Sequence, residues 1–299
     1  MIIIGAGPAG ISAALYAVRG NLDPLVINNG IGALEKAEKI ENYYGLEHPL
    51  SGQELYDTGI AQAKALGVRI LDAQVLGVGG FDTFVVKTTE GEFETQSLIL
   101  ATGSRRAAPK IPGVKEFEGK GVSYCAICDA FFYRGKNVAV LGNGDFAMHE
   151  AKELSNTAST VTIYTNGEEP EFTPEGNISV NTMKIQSVEG DDLVSGIRLA
   201  PDIQAQEMNA DAGQQANDFC PAAGVFIAMG TAGSTEIARQ MGADLTEKGN
   251  IKVDENMETT IPGLYAAGDC TGGLLQVAKA VYEGAQAGIN AGKYVRSLK

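Results

Sequence analysis

Residues 1–15 read MIIIGAGPAGISAAL, and this stretch decides the fold. The β-branched run Ile2–Ile4 predicts a short strand that leads directly into the glycine-rich turn Gly5–Gly10. Small and apolar residues then recur at helical spacing over Pro8–Arg19, and Leu25–Ile27 predicts a second strand. Strand, glycine turn, helix and strand form a βαβ unit, which indicates an α/β fold built on a parallel sheet.

The turn has the spacing G-x-G-x-x-G, in which each glycine has a separate task. Gly5 permits the tight turn, Gly7 lets the backbone approach a pyrophosphate, and Gly10 lets the helix pack closely on the strand. Pro8 and Ala9 open the helix, whose amino terminus attracts a negatively charged group. The motif predicts a dinucleotide site; the alternative is a glycine-rich turn in an α/β protein that binds no nucleotide.

A second unit of the same kind begins about 137 residues further along the chain. Asn137–Leu141 predicts a strand, and Gly142–Ala147 reads GNGDFA before a predicted helix. Asp145 places a negative charge where phosphate would approach, Phe146 is bulky at a crowded turn, and Tyr164–Glu169 contains no Arg to pair with a 2′-phosphate. We expect a Rossmann-type lobe kept for its structure, with a working NADPH site as the alternative.

Two further predicted strands end in short turns. Ser97–Ala101 runs into Thr102-Gly103, and Leu264–Ala266 precedes Gly268-Asp269. The carboxylate of that second turn suits a sugar-like hydroxyl. Leu275–Tyr294 predicts a long helix rich in Ala and Gly.

Composition narrows the class of protein. The chain has 299 residues, a formal net charge of −14 and 38 glycines. This length suggests about two domains, and the acidic balance argues against a nucleic-acid partner because polyanions bind through Lys and Arg. No apolar run approaches the roughly 18–20 residues that span a membrane, and the amino terminus lacks the positive charge of a signal peptide. We therefore expect a cytoplasmic protein that binds neither nucleic acid nor membrane.

The sequence CAICD at residues 125–129 carries the chemistry. Cys125 and Cys128 form a C-x-x-C pair, which can close a disulfide and reopen it by thiolate attack. Asp129 can shuttle a proton to or from a departing thiolate. The alternative is half of a zinc site, which usually needs a second ligand pair. Because Cys220 and Cys270 are single and far apart, we expect no metal and interpret them as packing residues.

A basic stretch flanks these cysteines. Between residues 105 and 136 there are seven basic and three acidic side chains, against the charge of the whole chain. This local reversal suits an acidic partner, and a solvated face is the alternative interpretation.

Taken together, these motifs resemble those of the low-molecular-weight thioredoxin reductases over nearly the whole length of the chain. The matching motifs are, in order, GAGPAG at Gly5–Gly10, IENYYG at Ile40–Gly45, ATG at Ala101–Gly103, YCAICDAFFYRGKNVAVLGNG from Tyr124, and IPGLYAAGDC at Ile261–Cys270. The resemblance implies a homodimer with an FAD domain built from residues 1–108 and 232–299. It also implies an inserted domain at residues 109–231 that carries the cysteines.

The resemblance assigns roles to individual residues. It implies that Cys128 faces the flavin, that Cys125 attacks the disulfide of thioredoxin, and that Asp129 is the acid/base. Asn28 replaces the acid that usually follows the second strand, and its amide can still bond a ribose hydroxyl. The cofactor-binding residues that we expect from the motifs and the resemblance are Gly5, Gly7, Pro8, Ala9, Gly10, Asn28, Asn42, Ala101, Thr102, Gly103, Gly268, Asp269, Gln276, Val277 and Ala278. The Arg-Gln pair usual before the last helix is not present.

The chain departs from the NADPH-using members at its second glycine turn. GNGDFA and YTNGEE stand where those members have a third glycine and basic residues. The next helix is also missing, because Glu168–Ile178 contains Pro170 and Pro174 and is too short for it. In this respect the sequence is similar to the ferredoxin-dependent flavin thioredoxin reductases, or to close relatives that lost NADPH binding.

These features predict a flavoenzyme that passes electrons from ferredoxin through FAD and Cys125–Cys128 to thioredoxin. Three alternatives stay open: an NAD(P)H-dependent reductase with an unusual nucleotide site, a flavin disulfide oxidoreductase with another donor or substrate, and a flavin-binding redox sensor or scaffold without turnover. Crossings between the domains near Arg105–Gly113 and Gly230–Ser234 contain glycines that a hinge can use. The polar segment Pro201–Cys220 is interpreted as a loop or irregular insertion.

Overall fold

The computed structural model describes the chain in five stretches, without the side chains at positions 127 and 128. These stretches are residues 1–80, 82–103, 109–201, 218–229 and 233–298. The chain divides into two compact units, residues 1–106 with 232–299, and residues 107–231. Residues 105–108 of the first predicted hinge crossing, residues 230–232 of the second, and most of the predicted irregular insertion lie outside the described residues.

The described strands and helices are numbered in chain order. The strands are β1 (Ile2–Ile4), β2 (Leu25–Asn28), β3 (Arg69–Asp72), β4 (Val75–Gly79), β5 (Phe84–Thr88), β6 (Gly91–Thr95), β7 (Leu98–Leu100), β8 (Val122–Ser123), β9 (Asn137–Leu141), β10 (Thr160–Tyr164), β11 (Ile178–Asn181), β12 (Ile185–Gly190), β13 (Val194–Leu199), β14 (Phe219–Pro221), β15 (Gly224–Ile227) and β16 (Leu264–Ala266). The helices are α1 (Pro8–Arg19), α2 (Gly52–Ala65), α3 (Ala126–Asp129), α4 (Asp145–Ser155), α5 (Ser234–Gln240) and α6 (Val277–Ser297).

The first unit is built on a parallel sheet with strand order β16-β7-β1-β2-β3. β1 lies at its centre, and Ile2–Ile4 are each at most 3% exposed, as expected of a strand that is apolar throughout. β4, β5 and β6 form a separate antiparallel sheet, in which the pair Thr88 and Gly91 closes the hairpin of β5 and β6. The predicted strand at Ile2–Ile4 and helix at Pro8–Arg19 are confirmed residue for residue.

The long helix α6 packs against α1 through glycines. A Cβ at Gly284 would lie 2.1 Å from the carbonyl oxygen of Ala9, and one at Gly288 would lie 2.3 Å from that of Ala13. The predicted start at Leu275 is wrong, because Gln276 has an extended backbone (φ −139°, ψ 151°) and the helix begins at Val277. The Ala- and Gly-rich composition of α6 therefore serves close contact between two helices.

The second unit repeats the plan with strand order β11-β10-β9-β15-β8, in which all the pairs are parallel. β12, β13 and β14 form an antiparallel sheet beside it in the order β12-β13-β14. β12 and β13 were not predicted from the sequence. The prediction of a loop or irregular insertion is wrong for Phe219 and Cys220, because they begin β14. The connection 165–177 contains no helix, as the prolines predicted.

Two parallel sheets, the second inserted in the chain between parts of the first, confirm the predicted α/β fold class with two Rossmann-like units. Across the described part of the chain, no helix is both long enough and apolar enough to cross a membrane.

Candidate functional site

Four of the predicted cofactor segments meet at one edge of the first sheet. Gly5 follows β1, Asn28 ends β2, Ala101 follows β7, and Gly268 comes two residues after the last residue of β16. These strands are consecutive neighbours in the sheet and run parallel, so their carboxyl ends share an edge. Ligands of open α/β sheets bind at such an edge.

The glycines of the first turn are required for different reasons. A Cβ at Gly10 would lie 1.8 Å from the carbonyl oxygen of Gly5, and a Cβ at Gly5 (φ +109°) would lie 2.4 Å from that of Ala101. Both glycines therefore allow close backbone packing. A Cβ at Gly7 would meet no atom within 4 Å, and its φ of −74° suits any residue. Nothing inside the chain requires glycine at position 7, whereas a pyrophosphate against the backbone would require it.

A partly buried ion pair braces the turn that carries Asp269. The Nζ atom of Lys279 donates to the carbonyl oxygens of Gly268 and Gly272 at 2.7 and 2.6 Å, and lies 2.9 Å from the carboxylate of Glu283. That carboxylate accepts the N–H of Gly268 at 2.9 Å. Burial raises the pKa of Asp269; Lys279 opposes this shift and Glu283 adds to it. Lys279 and Glu283 are not among the predicted site residues, although their i, i+4 spacing on a helix is a visible signal.

The start of α6 is joined to the IENYYG segment. The Nδ2 atom of Asn42 donates to Oε1 of Gln276 at 3.0 Å. Gln276 is the N-cap of α6, and Val277 and Ala278 are its first two residues. The backbone N–H groups at such a helix start have no partner within the helix and suit an electron-rich atom of a ligand. The structure thus brings four of the predicted residues together.

The amide of Asn28 is bonded within the chain. Its Nδ2 donates to Oδ1 of Asp72 at 2.6 Å, and its Oδ1 accepts the hydroxyl of Tyr56 at 2.8 Å. Asp72 ends β3 and pairs with Asn28 in the sheet. The carboxylate that was missing after β2 is therefore supplied by the neighbouring strand. The sequence carries no local signal for this, because the two residues are 44 positions apart.

Thr102 bonds to the start of α5. Its Oγ1 lies 2.8 Å from Oγ of Ser234, which also accepts the N–H of Thr102 at 3.1 Å. The N–H of Ser234 donates to Oγ1 of Thr102 at 2.8 Å. This reciprocal contact ties the ATG turn, Ala101–Gly103, to the point where the chain re-enters the first unit. The contact occupies the Thr102 side chain.

The second glycine turn is faced by the protein's own chain. The N–H of Glu171 donates to the carbonyl oxygen of Asn143 at 2.7 Å. A Cβ at Gly144, the position equivalent to Gly7, would lie 3.7 Å from Oε2 of Glu171. Phe146 is 3% exposed and packs inwards, so it does not obstruct the turn as the sequence analysis expected. The carboxylate of Glu171, which the sequence analysis did not single out, occupies that side.

Cys125 is disulfide-bonded and 2% exposed, while Cys220 and Cys270 are free. Its N–H donates to Oγ of Ser123 at 3.1 Å, and its carbonyl oxygen accepts the N–H of Asp129 at 3.3 Å. A cysteine held in a disulfide is not a thiolate ligand, so this structure does not support the zinc alternative. Burial raises the pKa of the Cys270 thiol to about 12, which agrees with a packing role.

Glu150 lies next to this disulfide and was missed in the sequence analysis. It is 1% exposed, and its Oε2 accepts the N–H of Ala126, the residue after Cys125, at 2.6 Å. Burial raises the pKa of this carboxyl to about 7, and the hydrogen bond from Ala126 opposes the shift. A Glu in the middle of an amphipathic helix gives no sequence signal for burial.

Beyond α3 the surface carries exposed aromatic rings. Phe131 and Phe132 are 70% and 67% exposed, with ring centroids 6.2 Å apart. The guanidinium of Arg134 lies 5.5 Å from the centroid of Phe131. Neighbouring exposed apolar side chains of this size are typical of interaction surfaces.

An open glycine turn at the edge of one parallel sheet, and a bonded cysteine on a second unit of the same architecture, define a dinucleotide-binding disulfide oxidoreductase. A model of the pyridine nucleotide-disulphide oxidoreductase family matches residues 1–284. The chain belongs to this family, and within it to the low-molecular-weight thioredoxin reductases.

Among its relatives is a thioredoxin reductase of Aquifex aeolicus (strain VF5), which is 36% identical over 284 residues, 90% of this chain and 84% of the relative. The crystal structure of the atypical thioredoxin reductase TRi from Desulfovibrio vulgaris Hildenborough matches with a TM-score of 0.87 and 39% identity, covering 99% of this chain and 97% of that one. A ferredoxin-flavin thioredoxin reductase from Clostridium acetobutylicum matches with a TM-score of 0.69 and 30% identity over 99% and 97%.

Proposed function

We propose that this protein binds FAD and reduces thioredoxin with electrons from ferredoxin, without using NADPH. The contrast between the two glycine turns carries this proposal. Gly7 is open towards a ligand, whereas the equivalent Gly144 is faced by the carboxylate of Glu171. A phosphate at the second turn would meet that negative charge and the adjacent Asp145. The similarity to a ferredoxin-flavin thioredoxin reductase supports ferredoxin as the donor.

The residues at the edge of the first sheet fit an FAD molecule. We propose that Gly5–Gly10 hold the pyrophosphate, that Asp269 bonds the ribityl or phosphate region, and that Asn42, Gln276 and the start of α6 lie near the flavin. FAD accepts electrons singly or in pairs, so it couples a one-electron donor to a two-electron disulfide. The ion pair of Lys279 and Glu283 keeps the turn of Asp269 in place for this contact.

We propose Cys128 as the disulfide partner of Cys125 and as the cysteine on the flavin side. In the reduced protein the Cys125 thiolate attacks a sulfur of the thioredoxin disulfide, forming a mixed disulfide and releasing one thioredoxin thiolate. The Cys128 thiolate then attacks Cys125, releasing the second thiolate and closing the Cys125–Cys128 disulfide. Asp129 supplies protons to departing thiolates. Because Cys125 is 2% exposed, the attack requires a conformational step.

Exposed side chains next to the disulfide support a protein partner. Phe131 and Phe132 offer apolar surface, and Arg134 adds positive charge. The other described basic residues of this stretch are all exposed and are Lys110, Lys115, Lys120 and Lys136. Arg105 and Arg106 lie outside the described residues. We propose that an acidic ferredoxin docks on this surface, so that raising the salt concentration weakens the coupling.

A donor comparison tests the proposal. The FAD-loaded protein is mixed anaerobically with NADPH, NADH or reduced ferredoxin, and the flavin absorbance is followed. We expect bleaching by reduced ferredoxin, followed by thiol release when thioredoxin is added, and no bleaching by either nucleotide. Bleaching by NADPH would instead support the second candidate, an NAD(P)H-dependent thioredoxin reductase, which the retained parallel sheet of the second unit favours.

A trapping experiment identifies the substrate independently of the donor. The Cys128→Ser variant keeps Cys125 as a lone attacking thiol, so the mixed disulfide with its substrate cannot be resolved. We expect it to accumulate with thioredoxin, whereas Cys125→Ser forms no such product. Absence of an adduct with thioredoxin would indicate another disulfide substrate. We also propose a cytoplasmic homodimer, for which sedimentation at twice the mass of 31.3 kDa is expected.

A further inference from the structure

Glu150 is a buried acidic residue of the second unit to which the proposed function assigns no role. It lies on α4, its side chain is 1% exposed, and it reaches across to α3, where its Oε2 accepts the N–H of Ala126 at 2.6 Å. Its other oxygen, Oε1, has no hydrogen-bond partner among the described residues. Burying a carboxyl group is costly unless its atoms are paired, so a half-paired one marks a specific task.

The contact fixes the peptide on the carboxyl side of Cys125. Ser123 accepts the N–H of Cys125, and the Cys125 carbonyl oxygen accepts the N–H of Asp129. Glu150 adds the third contact by holding the amide between Cys125 and Ala126. Backbone amides at this place in a C-x-x-C site ordinarily stabilise a thiolate. Here the N–H of Ala126 already donates to the carboxylate of Glu150.

We infer that Glu150 is a positioning residue for the Cys125 disulfide, which holds the peptide after Cys125 in the oxidised protein and disfavours a Cys125 thiolate when its own carboxyl is ionised. The inference rests on the proposed function only in taking this disulfide as the redox group. It requires neither a particular electron donor nor a particular protein substrate.

Glu150 changes charge in the neutral pH range. Burial raises its pKa to about 7, and the charge of Glu153 adds to the shift while the Ala126 N–H opposes it. The elements packed against α4 are α3, β9, β10 and β11. Apart from Glu153 and the two cysteines, the charged or titratable side chains on α4 and on these elements are Asp145, His149, Lys152, Asp129 and Tyr164. Below about pH 6 the carboxyl is neutral and does not repel a thiolate; above about pH 8 it is negative and does.

Reduction by dithiothreitol isolates this effect. Two electrons and two protons pass from the reagent to the protein: the Cys125 disulfide bond breaks to give two thiols, and the reagent closes its own disulfide. Above neutral pH one protein thiol loses its proton to become the thiolate. An ionised Glu150 opposes this last step, so it lowers the fraction of reduced protein at a given ratio of reduced to oxidised reagent.

The test compares wild type with Glu150→Gln in the FAD-loaded protein. The reduced fraction is measured by thiol alkylation in dithiothreitol buffers at pH 6 and pH 8. Gln keeps an oxygen acceptor for the Ala126 N–H but cannot ionise. We expect the equilibrium constant for reduction to be equal in the two proteins at pH 6 and about tenfold higher in Glu150→Gln at pH 8, which corresponds to one pKa unit of lost repulsion.

Asp145→Asn is the matched control, because it removes a carboxylate from the exposed start of the same helix. We expect it to follow wild type at both pH values. Equal equilibria for wild type and Glu150→Gln at pH 8 would overturn the inference. Glu150→Ala, which also removes the acceptor, is expected to lower thermal stability further than Gln. If Glu150→Gln shows the higher equilibrium constant at pH 8 but the wild-type protein does not reduce thioredoxin, the proposed substrate is wrong. The role of Glu150 is then still supported.

Discussion

The two glycine turns of this molecule share a shape and differ in what faces their middle glycine. At Gly5 and Gly142 alike, a Cβ would lie within 2.4 Å of a backbone oxygen at the end of a neighbouring strand. At Gly7 a Cβ would meet nothing within 4 Å, whereas at Gly144 it would meet the carboxylate of Glu171. The first glycine of each turn follows from this close packing and is present in both, whereas Ala147 stands in the second turn where the first has Gly10. Only the surroundings of the middle glycine, Gly7 or Gly144, distinguish a turn that is open to a ligand from one that is not.

The largest effect is expected where packing requires the glycine. In Gly10→Ala the new Cβ would lie 1.8 Å from the carbonyl oxygen of Gly5, so backbone must move. We expect the free energy of unfolding to fall by about 3 kcal/mol or more, measured by urea denaturation of the flavin-free protein. Gly7→Ala is the control, with an expected change within about 0.5 kcal/mol. Equal losses in the two variants would erase the distinction between packing and ligand glycines.

The next effect concerns the brace under the first turn. Lys279→Met leaves Glu283, whose side chain is 12% exposed, without its counter-charge. Breaking a fully buried ion pair costs about 3–5 kcal/mol. Because this pair is partly exposed, we expect a loss of about 2–3 kcal/mol in urea unfolding, together with weaker FAD retention. The double variant Lys279→Met, Glu283→Gln should lose less than the sum of the single variants. Additive losses would show that the two side chains act separately.

A moderate effect separates the two middle glycines. Gly7→Ala should fold normally but bind FAD at least about tenfold more weakly, or about 1.4 kcal/mol, because the methyl group occupies space that the pyrophosphate needs. FAD titration of the flavin-free protein measures this change. Gly144→Ala is the matched substitution at the second turn and should leave FAD affinity and thioredoxin reduction unchanged. If both variants retain FAD equally, the first turn does not hold the pyrophosphate.

The smallest effect is expected from uncovering the second turn. Glu171→Ala removes the carboxylate that faces Gly144, yet Tyr164–Glu169 still offers no Arg. We expect NADPH affinity, measured by calorimetry, to rise by less than about tenfold. Glu169→Ala removes the same charge from a neighbouring exposed position and should change nothing. No difference between the two variants would mean that Glu171 does not shield the turn.

The local patterns that predicted the fold were of one kind, namely continuous apolar strands next to glycine turns. β1, β9 and β16 are confirmed with the predicted bounds, because each is short, β-branched or apolar, and closed by glycine or a polar turn. β12 and β13 were missed. Their residues alternate only weakly, β13 contains Gly196, and β12 ends in Gly190. The two strands pair with each other with register shifts, so neither is specified by its own sequence.

The residues of the candidate sites also fall into those that a local pattern predicts and those that only the folded chain brings together. The sequence alone determined the fold class, the first glycine turn and the C-x-x-C pair, because each is written in residues that are adjacent in the chain. Only the tertiary structure decided which carboxylates lie next to these motifs. Asp72 accepts a hydrogen bond from Asn28, Glu171 faces Gly144, and Glu150 accepts the N–H of the residue after Cys125. These groups come from neighbouring strands, a helix-free connection and a packed helix. Only folding brings them within hydrogen-bonding or Coulombic range, so no local pattern in the sequence announces them.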